Sequence, residues 1–126
     1  MRKLLVLLVA VFSLVACSSG GQSSLSPQDF QGLMAQPGVV TVDVRTPAEF
    51  TSGHLENAVN IDVESGDFAT QIGQLDPKAT YAVYCRSGNR SKTAVQQMSD
   101  AGLTSVQDLD GGIVAWQSQG LPITTS

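Results

Sequence analysis

The stretch YAVYCRSGNRSKTAVQQMSDAG, residues 81–102, contains the pattern that decides the fold. Its first five residues, 81–85, are a short apolar run typical of a buried strand. A loop of small, polar and basic residues follows. In residues 91–101 apolar side chains recur on one side of a helix, and Gly102 ends that helix. The stretch therefore predicts a strand, a loop and a helix in direct succession.

Strand and helix signals alternate through the rest of the chain. Short β-branched runs predict strands, and capping residues followed by amphipathic segments predict helices. Beyond the opening stretch, the predicted strands are residues 39–44, 58–61 and 106–109, and the predicted helices are residues 26–38, 46–53, 68–75 and 113–119. Gly111 and Gly112 are expected to make a turn near the pocket, and Trp116 to pack in the core. This alternation predicts one α/β domain with a central parallel sheet and helices on both faces.

Three polar or reactive residues fall at the ends of predicted strands. Cys85 is the last residue of its strand, and Asp43 and Arg45 lie at the end of strand 39–44. In parallel α/β sheets the site lies at the carboxyl ends of the strands. We therefore expect Cys85 in the active centre, with Asp43 and Arg45 as pocket candidates. These two and Glu49 could be acid–base groups, but an arginine–carboxylate brace of the strand-end loop is favoured.

The loop after Cys85 has the composition of an anion cradle. Backbone N–H groups in a tight loop that opens a helix point inward and bind anions, and Gly88 supplies the backbone freedom that such a loop needs. These amides and the charges of Arg86 and Arg90 favour the thiolate of Cys85 over its thiol. The residues indicate a nucleophilic sulfur in an anion-binding loop. The alternative is a strand-end cysteine beside solvated arginines.

The amino terminus has the layout of an export signal. Arg2 and Lys3 precede an apolar run at residues 4–16, which is shorter than the roughly 20 residues of a membrane span. The sequence LVAC, residues 14–17, resembles the lipobox of bacterial lipoproteins. The resemblance implies cleavage before Cys17 and lipid on that cysteine. The alternatives are an ordinary secretory signal or a buried apolar helix.

This layout divides the chain into three parts. We expect a lipoprotein signal peptide at residues 1–16, a lipidated flexible tether at residues 17–25, and one domain at residues 26–123. The mature protein is expected in the cell envelope, anchored to a membrane through the lipid on Cys17 and facing the periplasm. The absence of an acid at Ser18 indicates the outer membrane if the host is Gram-negative.

Cysteine usage and charge narrow the classes of function. The chain has two cysteines and one histidine. A lipidated Cys17 leaves Cys85 as a lone thiol in an oxidising compartment, which marks it as reactive. His54 has no second histidine or free cysteine with which to bind a metal, so a structural role is favoured. With Arg2 and Lys3 removed, five basic side chains face eleven acidic ones, a net charge of −6, which disfavours nucleic-acid binding.

Four motifs together resemble those of the single-domain rhodaneses, the thiosulfate sulfurtransferases. They are DVRTPAEF at residues 43–50, GHLENAVNI at 53–61, CRSGNRS at 85–91 and LDGGIVAW at 109–116, in the order in which that family has them. The match extends over residues 26–122. It implies a rhodanese fold and the transfer of sulfane sulfur through a Cys85 persulfide.

The same resemblance implies roles for the loop and the reactants. The backbone amides expected to cradle the persulfide belong to Arg86, Ser87, Gly88, Asn89 and Arg90. The two arginines are candidates to hold the donor's sulfonate or to brace the backbone. No cofactor or metal is implied. The expected partners are a small-molecule sulfur donor such as thiosulfate, a cyanide or thiol acceptor, and a thiol reductant or acceptor protein.

Two rival interpretations remain. Cysteine-based phosphatases and arsenate reductases share the fold, but the phosphatase relatives have five residues between cysteine and arginine. Four residues separate Cys85 from Arg90, which favours sulfur transfer. The other rival is a non-catalytic rhodanese-like module that binds a partner or delivers sulfur within a complex. The cysteine in a complete loop argues against that rival.

Overall fold

A five-stranded parallel sheet forms the centre of the domain. The structure, a computed structural model, describes residues 24–126. The strands are β1 (Ser24–Leu25), β2 (Val39–Asp43), β3 (Val59–Asn60), β4 (Thr80–Tyr84) and β5 (Ser105–Leu109). They lie in the order β1-β5-β4-β2-β3, and all neighbours are parallel. The central position of β4 places the residue that follows it, Cys85, in the middle of the carboxyl edge.

Residues 24–126 form five helices. They are α1 (Pro27–Met34), α2 (Pro47–Ser52), α3 (Phe68–Gly73), α4 (Asn89–Asp100) and α5 (Gly112–Ser118). Four of them, α1, α3, α4 and α5, pack on the two faces of this sheet. Side chains alternate along a strand, so Tyr81 and Val83 pack with α3 and α4 on one face, whereas Ala82 and Tyr84 pack with α1 and α5 on the other. The predicted α/β domain with a central parallel sheet and helices on both faces is confirmed.

The helix-start signals near the beginning of the domain fold as predicted. Ser26 Oγ accepts a hydrogen bond from the Asp29 backbone N–H at 3.2 Å. Thr46 and Glu49 form a capping box at α2: the Thr46 hydroxyl accepts from the Glu49 N–H at 3.3 Å, and Glu49 Oε1 accepts from the Thr46 N–H at 3.5 Å. The box satisfies N–H groups that a helix start leaves unpaired.

The edge strand β1 is absent from the sequence prediction, which assigns residues 24 and 25 to the tether. Ser24 and Leu25 pair in parallel with Asp108 and Leu109 of β5. The Ser24 hydroxyl also donates to Asp108 Oδ1 at 2.7 Å. Two residues are too short to show a strand periodicity, and their pairing depends on a partner 84 positions away.

Strand β4 ends and helix α4 begins slightly earlier than predicted. β4 ends at Tyr84, so Cys85 is the first residue after the strand, and α4 begins two residues before its predicted start. Gly88 has a φ of 103°, a left-handed conformation that glycine adopts without a steric penalty. The helix begins directly after it. Asn89 and Arg90 therefore belong to the first turn of α4 rather than to the loop alone.

Residues 1–23 lie outside the described part of the chain. The predicted signal peptide, the predicted lipid on Cys17 and tether residues 17–23 all fall there, so they stay predictions. Among the helices of residues 24–126, none is long and apolar enough to span a bilayer.

Candidate active site

The thiol of Cys85 lies at the carboxyl edge of the sheet, where the sequence predicts the site. The residue is only 1% exposed. Its Sγ accepts a hydrogen bond from the Gly88 backbone N–H at 3.0 Å and lies 3.5 Å from Ser91 Oγ. The loop thus curls back over the sulfur and places a backbone donor against it.

Helix α4 points its amino-terminal end at this loop. Gly88 is the N-cap residue, and no side chain within residues 24–126 caps the helix. First-turn N–H groups have no partner inside their own helix and carry the positive end of the helix dipole. The 12 residues of α4 make three turns of aligned peptide dipoles. Negative charge on the Cys85 sulfur is therefore stabilised from this side.

The loop rests on the start of the last helix, α5. The Ile113 N–H donates to the Cys85 carbonyl oxygen at 2.9 Å. The Val114 N–H donates to the Arg86 carbonyl oxygen at 3.1 Å. Gly112 permits this approach, because a Cβ there would lie 2.6 Å from the Cys85 carbonyl oxygen and would overlap the Arg86 carbonyl. The sequence predicts only a turn here. The pair of adjacent glycines was the available signal for close backbone approach.

Arg90, in the first turn of α4, is held by Glu49 of α2. Its Nη1 and Nη2 donate to Oε1 and Oε2 of Glu49 at 2.7 and 2.9 Å. The hydrogen bonds from Arg90 are the main cause that lowers the pKa of Glu49 to about 2. The same bonds raise the pKa of Arg90. Of the two roles predicted for Arg90, this geometry is that of a brace between α2 and the loop.

Arg86 has the position that suits the other role. It is exposed and lines an open depression of about 330 Å³ beside the loop. The other lining residues include Arg45, Glu49, Ile113, Val114 and Ile123. A guanidinium in this position, directly after Cys85, can bind a small anion.

Asp43 and Arg45 form a buried ion pair at the same edge. Arg45 Nη2 lies 2.7 Å from Asp43 Oδ2, and Arg45 Nε donates to both carboxylate oxygens. Arg45 Nη2 also donates to the Gly53 carbonyl at 2.6 Å. The Tyr84 hydroxyl donates to Asp43 Oδ2 at 2.6 Å; burial and the Asp43 charge raise the pKa of Tyr84, which keeps it a donor. The geometry is that of an arginine–carboxylate brace. Arg45 reaches the depression, whereas Asp43 is fully buried.

The fold agrees with a comparison against protein families. The family model described as the Rhodanese-like domain matches residues 26–119. The chain belongs to the rhodanese-like family.

Named relatives share this rhodanese-like sequence over most of the domain. A sulfurtransferase of Allochromatium vinosum is 35% identical over 85 residues, which cover 68% of this chain and 78% of that protein. The thiosulfate sulfurtransferase GlpE of Pseudomonas entomophila is 35% identical over 95 residues, which cover 75% of this chain and 84% of that protein. An uncharacterized Synechocystis protein is 36% identical over 108 residues, which cover 86% of this chain and 59% of that protein.

A solved structure shows the same fold. The rhodanese-related protein of Thermoplasma volcanium matches with a TM-score of 0.72 and 31% identity, over 82% of this chain and 98% of that one. The rhodanese fold that the motifs imply is therefore confirmed.

The remaining loop residues of this rhodanese-like domain differ in exposure. Ser87 and Asn89 are exposed, whereas Gly88 is buried between the sulfur and the start of α5. The Gly88 contact with Cys85 is made by its backbone. The loop therefore contacts the sulfur through the backbone N–H of Gly88, while the side chains of Ser87 and Asn89 are exposed.

The lone histidine and the tryptophan have structural positions. His54 is buried, its two ring nitrogens lie 2.9 Å from the Phe50 carbonyl and 3.0 Å from the Ser126 carbonyl, and its ring stacks on Phe50. Trp116 is buried, and its Nε1–H donates to the Pro122 carbonyl at 2.9 Å. Within residues 24–126 there is no group of three or more histidine, cysteine or acidic side chains that could hold a metal ion.

Two buried polar residues near Cys85 are missing from the predicted site. Ser91 is fully buried, and Asp108 of β5 is 4% exposed. Asp108 Oδ2 lies 3.1 Å from Ser91 Oγ, which in turn lies 3.5 Å from the sulfur. An acid inside a predicted strand is rarely buried without a partner, and this was the signal that could have identified Asp108.

Proposed function

We propose that this rhodanese-like domain is a sulfurtransferase that carries sulfane sulfur on Cys85 as a persulfide. The observation that carries the proposal is the position of Sγ, 3.0 Å from the Gly88 N–H and at the amino-terminal end of α4. Both features stabilise negative sulfur, which is the nucleophilic form. The relatives named sulfurtransferase and thiosulfate sulfurtransferase point to the same chemistry.

The first half of the reaction charges the cysteine. The Cys85 thiolate attacks the outer sulfur of a donor such as thiosulfate, and a new S–S bond forms as the donor's S–S bond breaks. Sulfite leaves with the bonding electron pair. The outer sulfur now carries the negative charge, and the loop amides and the first turn of α4 stabilise it as an oxyanion hole stabilises an oxyanion.

The second half of the reaction transfers the outer sulfur from Cys85 to an acceptor. Cyanide or a thiolate attacks the outer sulfur, and the Cys85 thiolate leaves with the electrons of the bond that breaks. The acceptor departs as thiocyanate or as a persulfide, and the enzyme returns to its starting state. One sulfur atom has moved, and each step breaks one S–S bond.

Arg86 is proposed to bind the anionic end of the donor, because it is exposed at the depression whereas Arg90 is committed to Glu49. The Arg86→Ala variant should raise the KM for thiosulfate about tenfold with a much smaller change in kcat, since a charge-assisted hydrogen bond contributes roughly 1.5–3 kcal/mol. Steady-state kinetics measure the two constants. The control is Lys78→Ala, which removes the same charge from an exposed turn before β4. If the KM of Arg86→Ala for thiosulfate equalled that of the parent protein, Arg86 would not be part of the donor-binding site.

The mass of the purified protein tests the reaction itself. After reduction and treatment with thiosulfate, the peptide that contains Cys85 should gain one sulfur atom, and cyanide should remove it with release of thiocyanate. A folded, reduced protein that gains no sulfur would contradict thiosulfate as the donor. Hydrolysis of a phosphate ester by that same protein would point to the phosphatase alternative, and inertness towards both would point to a binding module.

The site of action is proposed to be the cell envelope, through a lipid on Cys17 that anchors the domain by the tether. The basis is the sequence at residues 1–17. The same mass measurement, applied to protein extracted from cells, reads the amino terminus. A lipid-modified Cys17 as the first residue supports the proposal, and an unmodified residue 1 as the terminus contradicts it.

A further inference from the structure

Two buried polar side chains, Ser91 and Asp108, extend from the Cys85 sulfur, and the proposed mechanism uses neither of them. Cys85 Sγ lies 3.5 Å from Ser91 Oγ, and Ser91 Oγ lies 3.1 Å from Asp108 Oδ2. The other oxygen of Asp108 accepts from the Ser24 hydroxyl at 2.7 Å. Asp108 is thus a buried carboxylate, two hydrogen bonds from the nucleophile, that sulfur transfer as described above does not use.

The Ser91 hydroxyl has one proton and two possible acceptors. The Gly88 carbonyl oxygen and Asp108 Oδ2 both lie 3.1 Å from Ser91 Oγ. A carboxylate is the stronger acceptor because hydrogen bonds to ionised groups are stronger than neutral ones. With its proton on the Asp108 side, Ser91 presents a lone pair to the sulfur. The Cys85 sulfur, 3.5 Å away, then faces an oxygen lone pair of Ser91 rather than its hydroxyl proton.

The charge of Asp108 acts in the same sense. Among residues 24–126, Lys92 is the cation paired with Asp108: its Nζ lies 3.9 Å from Asp108 Oδ2. Because 59% of the Lys92 side chain is exposed, solvent screens this pair. A partly compensated carboxylate near the sulfur disfavours a second negative charge there. Arg90 and the amino-terminal end of α4 act in the opposite sense and favour the thiolate.

We propose that Asp108, through Ser91, is a positioning residue that keeps the Ser91 hydroxyl proton turned away from the Cys85 sulfur and so restrains the reactivity of resting Cys85. When the thiol proton leaves to water, the Ser91 hydroxyl must turn from Asp108 to the thiolate, and Asp108 keeps Ser24 and Lys92 as partners. The inference deepens the proposed function and rests on it only in taking Cys85 as the reacting nucleophile. Asp108 thereby limits how readily the Cys85 sulfur reacts.

The test is the alkylation rate of Cys85 by iodoacetamide at neutral pH, followed by mass spectrometry on the Cys85 peptide of the full chain. Because the thiolate is the reacting form, Asp108→Asn should speed alkylation about fivefold or more. The matched control is Asp110→Asn, which removes the same charge from an exposed position two residues away and should leave the rate within about twofold. An Asp108→Asn rate equal to or below that of the parent overturns the proposal.

Two further variants separate positioning from a general effect of charge or fold. In a Ser91→Ala background the Asp108→Asn change should lose the part of its effect that passes through the Ser91 hydrogen bond and keep only the part due to charge. An undiminished effect there would overturn the role of Ser91. Ser24→Ala keeps the carboxylate but removes a donor to it, so Asp108 should hold Ser91 more firmly and alkylation should slow. A faster rate in Ser24→Ala would contradict the proposal even if Asp108→Asn failed to fold.

Alkylation requires no sulfur donor, so the outcome of this test does not depend on whether the proposed function is correct. Protein that gains no sulfur from thiosulfate but shows the expected alkylation rates would contradict sulfur transfer from thiosulfate and would support the role of Asp108. The reverse result would support sulfur transfer and overturn the role of Asp108.

Discussion

Replacing Cys85 by serine should abolish sulfur transfer while leaving the domain folded. A serine hydroxyl does not ionise near neutral pH and cannot carry sulfane sulfur, so the covalent route is closed. Other covalent enzymes lose at least about a thousandfold in kcat when the nucleophile is removed, and we expect a loss of this size in Cys85→Ser. Production of thiocyanate from thiosulfate and cyanide measures the rate.

The fold should survive because serine is almost isosteric with cysteine and finds the same partners. Its hydroxyl can accept from the Gly88 N–H and meet Ser91, so no buried polar atom is left unpaired. The midpoint of urea unfolding checks this. The matched control is Ser87→Ala, an exposed position in the same loop, which should keep most of the activity. If Cys85→Ser produced thiocyanate at the parent rate, Cys85 could not carry the sulfur.

Replacing Arg45 by methionine should lower the free energy of unfolding by about 3–5 kcal/mol, because it leaves the buried Asp43 carboxylate without its counter-ion. The methionine fills similar space but cannot replace the bonds of the guanidinium to Asp43 and to the Gly53 carbonyl. Small domains unfold with roughly 5–15 kcal/mol, so the loss would be a large part of the total. Urea denaturation measures this loss, provided that the free energy of unfolding of the variant falls with urea concentration at the same slope as that of the parent.

Two variants control for the loss of an ion pair as such. Glu49→Gln breaks the pair with Arg90, whose side chains are 25% and 31% exposed, and should cost about 1 kcal/mol or less. Adding Asp43→Asn to Arg45→Met removes the stranded charge and should recover part of the loss, since the two residues share one network. A loss in Arg45→Met no greater than that in Glu49→Gln would contradict the importance of the buried pair.

Local patterns and motifs predicted most of the fold. Strand β4 and helix α4 follow from apolar runs with the right periodicities, and α2 follows from the Thr46–Glu49 capping box, since all three signals lie within a few residues of chain. Strand β1 could not be predicted in the same way. Its two residues become a strand only because β5 lies beside them, which is a property of the folded sheet.

The location of the candidate site in the fold was predictable to the same degree. Cys85 and its loop follow from one stretch of sequence and from a family resemblance. The different positions of Arg86 and Arg90 do not. Glu49, 41 positions from Arg90, pairs with that arginine, whereas Arg86 stays exposed at the depression. The contact between Ser91 and Asp108 likewise depends on where α4 begins and on which strand lies next to β4.

The backbone hydrogen bonds between the loop and α5 have a consequence for how the selectivity of such a site can evolve. The carbonyls of Cys85 and Arg86 are fixed by backbone donors of α5, and Gly88 meets the sulfur through its own N–H. Ser87 and Asn89 point outward and take no part in this framework. Random libraries at these two positions should therefore change which donors and acceptors are accepted while conserving the chemical step, so selectivity and reactivity can evolve as separate traits.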